Sequence, residues 1–237
     1  MITVSLVTHG HGDMVTSLID RLLELPEVSQ IVLTCNVPEQ TSFKDNASGR
    51  LIVKHNQRPN GFGANHNAAF SYCRTPYFCV LNPDVQLPDN PFCQLVKLIE
   101  SSNFDLVAPI VLSPLGNVEN SARHFPTLKS LIIKRLGGYD GRYFSKLGDP
   151  PFAPDWVAGM FMLFRRSAYE QLCGFDERFY LYFEDVDICR RAKRKGFTIR
   201  CCPQTFIIHK AQRASGRNLR HMRWHLTSMF RYLFCSN

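Results

Sequence analysis

Three carboxylates stand close together in the second half of the chain, directly after an aromatic run. Glu184, Asp185 and Asp187 follow the sequence Phe-Tyr-Leu-Tyr-Phe at 179–183. Such a run is normally at least half buried, and a partly buried carboxylate has a raised pKa that suits a general base or a metal ligand. Acids at the start of a predicted helix and bases at its end also suit the helix dipole, so an ordinary helix start explains the pattern equally well. This segment alone leaves both interpretations open.

Two further residues, Asp84 and His209, have side chains that commonly bind metal cations. Asp84 ends the segment Asn82-Pro-Asp, which follows an apolar run at 77–81. An aspartate just past a buried strand binds a divalent cation or a ribose hydroxyl, or it only hydrogen-bonds the backbone of a proline turn. His209 closes the apolar run 206–208, and a neutral imidazole is a common metal ligand, although a lone histidine is more often structural.

The loop at 56–67 is rich in asparagine and carries glycines at 61 and 63 ahead of a predicted helix. Glycines let backbone N–H groups approach a phosphate, and a helix N-terminus favours an anion. The loop has neither the Gly-Lys-Ser/Thr of a Walker A sequence nor the Gly-x-Gly-x-x-Gly of dinucleotide-binding folds. It therefore suggests a nucleotide site of another kind, with a turn-rich loop as the structural alternative.

These residues need a scaffold, and the first half of the chain alternates predicted strands and helices. This alternation predicts an α/β fold with a mostly parallel, Rossmann-like sheet and helices on both faces. Ligands of such sheets bind at the carboxyl ends of the strands, so we expect the candidates of this half to converge at one edge. The predicted strands are 2–8, 31–34, 51–54, 77–81 and 106–111, and the predicted helices are 14–25 (with Asp13 as N-cap), 61–73 and 91–100.

The second half has a different pattern. Residues 113–154 predict long loops with short helices, and the apolar run 156–165 predicts one buried strand. Residues 211–237 predict a basic amphipathic helix that either docks on the domain through an apolar stripe or lies on an anionic membrane surface. The stripe is Leu219, Met222, Leu226, Met229 and Leu233, and the other face carries Arg217, Arg220, Arg223 and Arg231 near Trp224.

Composition indicates one domain with anionic partners. The chain has 237 residues, 45% of them hydrophobic, and a formal net charge of +8, which suits nucleotides, phosphorylated substrates, nucleic acid or an anionic membrane. Nine cysteines without framework spacing predict reduced thiols in a cytoplasmic protein. We expect neither a signal peptide nor a transmembrane helix, since no segment has either pattern.

Five segments, in this order and spacing, resemble the family-2 glycosyltransferases with a GT-A fold, in particular the bacterial rhamnosyltransferase-like branch. They are GFGANHN (61–67), NPD (82–84), WVAGMFMLFRR (156–166), GFDERFYLYFEDVD (174–187) and His209. The resemblance covers most of residues 1–215. It implies a nucleotide-sugar-binding half (1–111) and an acceptor-binding, catalytic half (112–210) of one domain, followed by the C-terminal helix.

The reaction implied by the resemblance is an inverting transfer from a nucleotide-diphosphate sugar to a hydroxyl group. The branch implies a dTDP- or UDP-sugar donor, with a deoxyhexose such as rhamnose, and a glycan or lipid-linked glycan acceptor. It also implies peripheral attachment to the inner face of the cytoplasmic membrane. These expectations rest on fold analogy.

The resemblance also assigns roles to residues. Asp185 matches the catalytic base, and Glu184 and Asp187 would orient it or bind acceptor hydroxyls. Asp84 matches the last position of an Asp-x-Asp motif that holds Mg²⁺ or Mn²⁺, with Asn82 in place of the first aspartate. His209 matches a histidine that joins the metal or the diphosphate. The donor-binding candidates are Thr8, Asn36, Asn56, Gly61, Gly63, Asn67 and Asp84.

One departure concerns the nucleotide. Cys35 precedes Asn36 where an aspartate is commoner, so a carboxylate that would contact the base or the ribose is missing from that position.

Two other functions are alternatives. A sugar-nucleotide nucleotidyltransferase would share the Rossmann-like start, but the first strand–helix loop, HGHG at 9–12, lacks the basic residue expected of it. A nucleic-acid-binding protein would explain the positive charge, but the basic residues lie mainly after residue 185 and no nucleic-acid-binding motif accompanies them. We therefore expect no nucleic-acid partner.

Overall fold

The computed structural model describes residues 1–46, 48–210 and 219–235. In chain order its elements are β1 (Ile2–Thr8), α1 (Asp13–Glu24), β2 (Val28–Cys35), β3 (Leu51–His55), α2 (Phe62–Phe70), β4 (Tyr77–Leu81), β5 (Val85–Gln86), α3 (Pro91–Ser102), β6 (Leu106–Leu112), β7 (Ala122–Arg123), α4 (Leu128–Arg135), β8 (Trp156–Val157), β9 (Phe161–Arg165), α5 (Arg166–Gln171), α6 (Glu184–Arg194), β10 (Ile199–His209) and α7 (Leu219–Phe234).

One mixed sheet of eight strands joins both halves of the chain, in the order β3-β2-β1-β4-β9-β6-β10-β5. The first four strands of this order are parallel to one another, and β10 is parallel to β6. Strand β9 lies antiparallel between β4 and β6, and β5 is antiparallel to β10. The predicted parallel sheet is thus confirmed for most of its strands, with β9 inserted in the reverse direction.

The reversal of β9 brings its first residues to the edge where the parallel strands end. There the Asn82 N–H donates to the Met160 carbonyl over 3.0 Å. The prediction of one strand over 156–165 is wrong, because 156–157 form β8, which pairs with β7 in a separate two-stranded sheet. The chain then turns at 158–160 and enters the main sheet as β9.

Helices cover both faces of the sheet, as the sequence predicts. Strand β4 illustrates why, because alternate side chains of a strand point to opposite faces. Cys79 and Leu81 pack with the buried side chains of α1 and α3, whereas Phe78 and Val80 pack with those of α2, α5 and α6. Full burial of a side chain such as Phe78 contributes about 1.5–3 kcal/mol.

The structure corrects the predicted start of α1. Gly12, with a positive φ of 53°, is the N-cap of α1 in place of Asp13, which lies in the first turn where its charge suits the helix dipole.

The cysteines are unpaired and most of them are buried, as predicted. Among the described residues, no helix combines the length and apolar character needed to cross a membrane.

Helix α7 docks on the domain, but only the last two residues of the predicted docking stripe take part. Ser228 and Tyr232 are buried, and Tyr232 packs against Phe179 and Phe183. The first three residues of the predicted stripe, Leu219, Met222 and Leu226, are exposed, while Met229 and Leu233 are half-buried against the same aromatic cluster. Arg217 lies outside the described residues.

Candidate active site

Glu184 and Asp185 begin α6, but their carboxylates have different partners. Asp185 accepts hydrogen bonds from the N–H groups of Gly159 (3.1 Å) and Val186 (2.8 Å). Glu184 is only 5% exposed, and its Oε2 atom has no hydrogen-bond partner among the described residues. The helix enters from two residues in the left-handed region, Tyr182 and Phe183, with φ of 69° and 67°. A left-handed conformation is costly for aromatic residues, and it aims both acids inward.

These surroundings separate the two pKa values. Burial, and then the neighbouring charge of Asp185, raises the pKa of Glu184 well above its ordinary range. Burial also raises the pKa of Asp185, but the N–H groups of Gly159 and Val186 and the charge of Arg123 counteract that effect. Asp185 therefore ionises before Glu184, and a pair of carboxyl groups pushed apart in this way divides into a base and a neutral partner.

Asp185 lies in a pocket of about 360 Å³ with aromatic walls. Phe125, Trp156 and Tyr182 contribute to those walls, and Arg123 and Asp185 supply charge. The Arg123 guanidinium lies over the Trp156 ring, 5.7 Å from its centroid. A concave pocket with apolar walls and few convergent polar groups is typical of a small-molecule site.

The structure does not bring Asp187 into this pocket. Its carboxylate is buried and forms an ion pair with Arg191, with 2.7 Å between Oδ2 and Nε. Arg191 also donates to the carbonyls of Leu172 and Gly174. Asp187 therefore neutralises an arginine that holds the preceding loop, which is a structural contact.

A second group of charges lies at the ends of β4 and β10. His209 Nε2 lies 3.2 Å from Asp84 Oδ2, and His209 Nδ1 lies 3.0 Å from Glu119 Oε2. Burial alone would lower the pKa of His209, but Asp84 and then Glu119 raise it above its ordinary value. The sequence analysis missed Glu119, because it lies in a loop without a motif.

This group fits a divalent cation in part. The buried Asp84 Oδ1 atom lacks a hydrogen-bond partner in the described residues, as expected of an oxygen reserved for a ligand. Glu119 on the far nitrogen of His209 resembles the outer partner that orients a metal-binding imidazole. No cluster of three or more metal-binding side chains occurs within 1–46, 48–210 and 219–235. Asp84 and His209 would therefore supply two protein ligands, with the remaining positions left to diphosphate oxygens and water.

A network of amides lies where β2 and β3 end. The Asn36 Oδ1 atom accepts from Asn56 Nδ2 (2.7 Å) and from the Asn60 N–H (2.8 Å). The Asn36 Nδ2 group lies 2.6 Å from His9 Nε2. Burial lowers the pKa of His9, so the ring nitrogen is free to accept this hydrogen bond. The predicted pair Asn36 and Asn56 therefore does come together at the edge of the sheet.

A carboxylate that sequence analysis missed lies in the neighbouring loop. Glu39 accepts hydrogen bonds from the Thr8 hydroxyl and the Gly10 N–H, both over 2.6 Å. Burial alone would raise the pKa of Glu39, but these two donors lower it. Glu39 comes four residues after Cys35, the position where the resemblance implies an aspartate, so spacing gave no signal for it.

The glycines of the 61–67 segment have a packing role. A Cβ atom on Gly61 would lie 2.7 Å from the Tyr180 carbonyl oxygen, and one on Gly63 would lie 2.6 Å from the Phe175 Cβ. Asn67 accepts from the Phe175 N–H and from the Tyr169 hydroxyl. In this structure the three residues thus join α2 to the loop before α6, and their contacts are not those expected of phosphate-binding residues.

Short connections link the two charged groups and the amide network. Asp84 is close enough to His11, in the loop after β1, for its charge to oppose the lowering of the His11 pKa by burial. On the other side, Asn82 bonds Met160 and Asp185 bonds the adjacent Gly159. The end of β4 therefore lies between the amide network and the Asp185 pocket.

Comparison with known proteins identifies relatives. Residues 37–173 match the family described as Glycosyl transferase family 2. The chain is 28% identical to the rhamnosyltransferase WbbL of Escherichia coli (strain K12), over 98% of this chain and 92% of that protein. It is 30% identical to the N-acetylglucosaminyl-diphospho-decaprenol L-rhamnosyltransferase of Mycobacterium tuberculosis, over 65% of this chain and 53% of that protein.

Solved structures share the fold. GalNAc-T7 with UDP, GalNAc and Mn²⁺ matches with a TM-score of 0.65 at 16% identity, over 88% of this chain and 43% of that one. The mannosyltransferase PcManGT from Pyrobaculum calidifontis, with GDP-Man and Mn²⁺, matches with a TM-score of 0.59 at 12% identity. This match covers 90% of this chain and 58% of that one. The chain thus spans less than two thirds of either structure, and at these identities the match confirms the predicted GT-A-like fold alone.

Proposed function

Because the chain belongs to glycosyltransferase family 2, we propose that it transfers a sugar with inversion and that Asp185 is the general base. The family and its rhamnosyltransferase relatives make the chain a glycosyltransferase that uses a nucleotide-sugar donor, as the sequence predicts. They do not favour the nucleotidyltransferase or the nucleic-acid-binding alternative. The base, the donor residues, the metal, the sugar and the acceptor are proposals.

The observation that carries the mechanism is the position of Asp185 beside Gly159. The carboxylate accepts the proton of an acceptor hydroxyl while that oxygen bonds to the anomeric carbon. The bond from that carbon to the diphosphate breaks on the opposite face, and the electron pair leaves with the diphosphate. Since Gly159 has no side chain, it leaves room between the base and Phe62, which a Cβ would approach to 3.1 Å. A positioned base contributes about 10²- to 10⁴-fold to the rate.

Three residues support a donor site at the edge of the sheet. Asn36, which is buried, and Asn56 form the amide network that would support a nucleoside from below. Thr8, at the end of β1, has its hydroxyl bonded to Glu39. We propose that Glu39 supplies the carboxylate that position 35 lacks. Gly61, Gly63 and Asn67 act in this proposal through packing, since they hold the loop that leads into the acids.

We propose that Asp84 and His209 hold a divalent cation, Mg²⁺ or Mn²⁺, on the donor diphosphate. When bound, the cation neutralises charge that develops on the leaving group. The orphaned Asp84 Oδ1 atom supports this assignment, and two structural neighbours were solved with Mn²⁺. The His209 imidazole must be neutral to bind the cation, and Glu119 orients it.

The acceptor pocket suits a sugar on a lipid carrier. Lys134 and Arg123 line it on the side of α4, where they suit the charge of a diphosphate linkage. Three side chains of the α4 region, Leu128, Ile132 and Leu136, are exposed. The mycobacterial relative is named for a diphospho-decaprenol acceptor. We therefore infer a lipid-linked glycan acceptor at a membrane surface and, from both rhamnosyltransferase relatives, a dTDP-activated deoxyhexose such as rhamnose.

A thermal-shift screen tests the donor site directly. UDP, dTDP and GDP would each be added with and without Mn²⁺, because ligands stabilise the folded state by about 2.7 kcal/mol at one hundred times Kd. A domain of this size melts about 2–4 °C higher per kcal/mol, so dTDP or UDP with Mn²⁺ should raise the melting temperature by several degrees. Asp84→Asn should abolish the part that depends on Mn²⁺. Equal stabilisation with and without Mn²⁺ would contradict the cation site, and no stabilisation by any nucleotide would contradict the donor site.

A further inference from the structure

A pocket on α7 is separate from the donor and acceptor sites. It has a volume of about 420 Å³ and lies between α7 and the loop at 176–182. Its lining combines four arginines with two aromatic rings and two hydroxyls: Arg178, Arg220, Arg223, Arg231, Tyr180, Trp224, Thr227 and Ser228. We propose that this arginine pocket binds the phosphate of an anionic phospholipid headgroup.

The charge of the arginine pocket favours a phosphate. No carboxylate belongs to its described lining, although Asp176, just outside, forms an ion pair with Arg178 over 2.7 Å. The described lining thus contributes four guanidinium groups to one pocket. Guanidinium groups bind phosphate oxygens through two parallel hydrogen bonds, which gives both strength and geometry.

The arginine pocket is held in shape by contacts across its base. Arg231 donates a hydrogen bond to the carbonyl of Arg178, and the Ser228 hydroxyl donates to the Leu181 carbonyl over 2.9 Å. The rings of Tyr180 and Trp224 stack with centroids 4.6 Å apart. These contacts join the loop to α7 on the wall of the pocket, and a pocket held by such contacts loses less conformational entropy when a ligand binds.

The neighbouring face of α7 identifies a lipid as the source of the phosphate. Leu219, Met222, Leu226, Phe230 and Phe234 recur every three or four residues, and each is more than half exposed. Arg223 follows Met222 directly and precedes Leu226 by three residues, so the pocket borders this apolar face. A helix with an exposed apolar face flanked by arginines lies in the interface of an anionic bilayer, and Trp and Tyr are enriched at that depth.

The arginine pocket also has a geometric relation to catalysis, which rests on the proposed function. The loop that forms its wall leads directly into Glu184 and Asp185, and the opposite flank of α7 brings His225 into the acceptor pocket. A bilayer bound at α7 would therefore hold a lipid-linked acceptor near Asp185.

Vesicle sedimentation of the full chain, without donor or acceptor, tests the proposal. We expect strong sedimentation with phosphatidylcholine vesicles that contain phosphatidylglycerol and little with phosphatidylcholine alone. The double variant Arg220→Gln/Arg223→Gln should partition about thirty-fold more weakly, because each arginine near an anionic surface contributes about 1 kcal/mol. The control Arg74→Gln/Lys97→Gln removes the same charge from exposed positions on other elements and should change partitioning far less. Thermal melting of each variant verifies folding.

Several outcomes would overturn the proposal. Equal losses in the two double variants would show diffuse attraction without a pocket, and equal sedimentation of the wild type with neutral vesicles would exclude phosphate recognition. Inorganic phosphate that stabilises the wild type but not Arg220→Gln/Arg223→Gln, without any vesicle binding, would assign the pocket to a free phosphate. The two proposals can fail separately. If the proposed glycosyltransferase function is wrong, no sugar transfer will be observed, but the sedimentation results will be unchanged.

Discussion

Two adjacent carboxylates, Glu184 and Asp185, meet different surroundings although one peptide bond joins them. Asp185 has two backbone N–H donors and the charge of Arg123, whereas Glu184 is buried with an unpaired Oε2 atom. Removing a charge from water without partners is costly, so burial raises the pKa of Glu184 well above its ordinary range, while the partners of Asp185 oppose the same effect on its pKa. Sequence order alone could not separate them, because the partners come from positions 123 and 159.

Glu184→Gln should make the protein more stable at alkaline pH. The folded pKa of Glu184 is raised by burial, so its protonated form favours folding, and this contribution is lost as pH rises above the ordinary value near 4.5. The variant is neutral at every pH. Its free energy of unfolding, and with it its melting temperature, should therefore exceed that of the wild type at pH 8. This difference in free energy should shrink toward pH 5 by no more than about 1.4 kcal/mol per pH unit. A margin independent of pH, measured by scanning calorimetry, would contradict a buried neutral Glu184.

Arg123→Gln should shift the acidic limb of the pH–rate profile to higher pH. Burial raises the pKa of Asp185 and the charge of Arg123 lowers it, so removing that charge raises the pKa further. We expect kcat/KM to fall on acidification with an apparent pKa above the ordinary aspartate value in the wild type, and higher still in the variant. The exposed Arg74→Gln is the control and should leave the limb in place. An unshifted limb in Arg123→Gln would indicate that the titrating base lies elsewhere.

Motif residues and geometry agree only in part. The order of strands and helices predicted that Asn36, Asn56 and Asp84 lie at one edge of the sheet, because β-strand ends determine where such residues meet. The family resemblance supplied Asp185 and His209. The resemblance also assigned site roles to Asp187 and Asn67, which have buried structural partners. Such partners cannot be read from the sequence. Glu39 and Arg123 were missed for the opposite reason, since each is an isolated charged residue outside any motif, Glu39 in a loop and Arg123 in the two-residue strand β7.

At the scale of elements, the loop at 174–183 connects the separate parts of the site. It packs against the start of α2 through Gly61 and Gly63, bonds Asn67, and forms one wall of the arginine pocket. It then delivers the two acids at the start of α6. A shift of this loop would therefore move the proposed base and change the packing against both α2 and α7.

Gly61→Ala should weaken the contact between α2 and this loop. The added Cβ would lie 2.7 Å from the Tyr180 carbonyl oxygen, which is backbone and must move. Overpacking of this kind costs about 1–3 kcal/mol, so we expect melting to fall by several degrees and transfer to fall with it. Ala68→Ser, a small addition at the exposed side of the same helix, is the control. Unchanged melting of Gly61→Ala would show that the loop adapts freely.

Periodicity predicted most elements but not the direction of β9. The apolar run at 156–165 has the composition of a buried strand. Gly159 is the one residue in it that favours a turn, and nothing in the run indicates antiparallel pairing with β4. The same limit applies to α7, whose apolar stripe predicted docking. The exposed stripe and the buried Ser228 and Tyr232 show that partner surfaces, not hydrophobicity alone, decide which face docks.

At the scale of the whole molecule, one sheet joins the proposed donor side to the proposed acceptor side. The donor candidates follow β1, β2 and β4, and the base follows the loop that packs on them. The turn at 158–160, which leads into β9, is the junction, because Met160 bonds Asn82 and the adjacent Gly159 bonds Asp185. The main sheet contains strands from both halves of the chain, and we propose that the reacting groups meet where those halves adjoin.

The most direct test of this account is sugar transfer by Asp185→Asn, measured with donor affinity on the same preparation. The variant keeps an oxygen that accepts one N–H bond but cannot take a proton. We predict that turnover falls by about 10²- to 10⁴-fold while the Kd for the nucleotide is unchanged, and that Asp187→Asn, if it folds, retains most of its turnover. Wild-type turnover by Asp185→Asn would contradict the assignment of the base and, with it, the proposed mechanism.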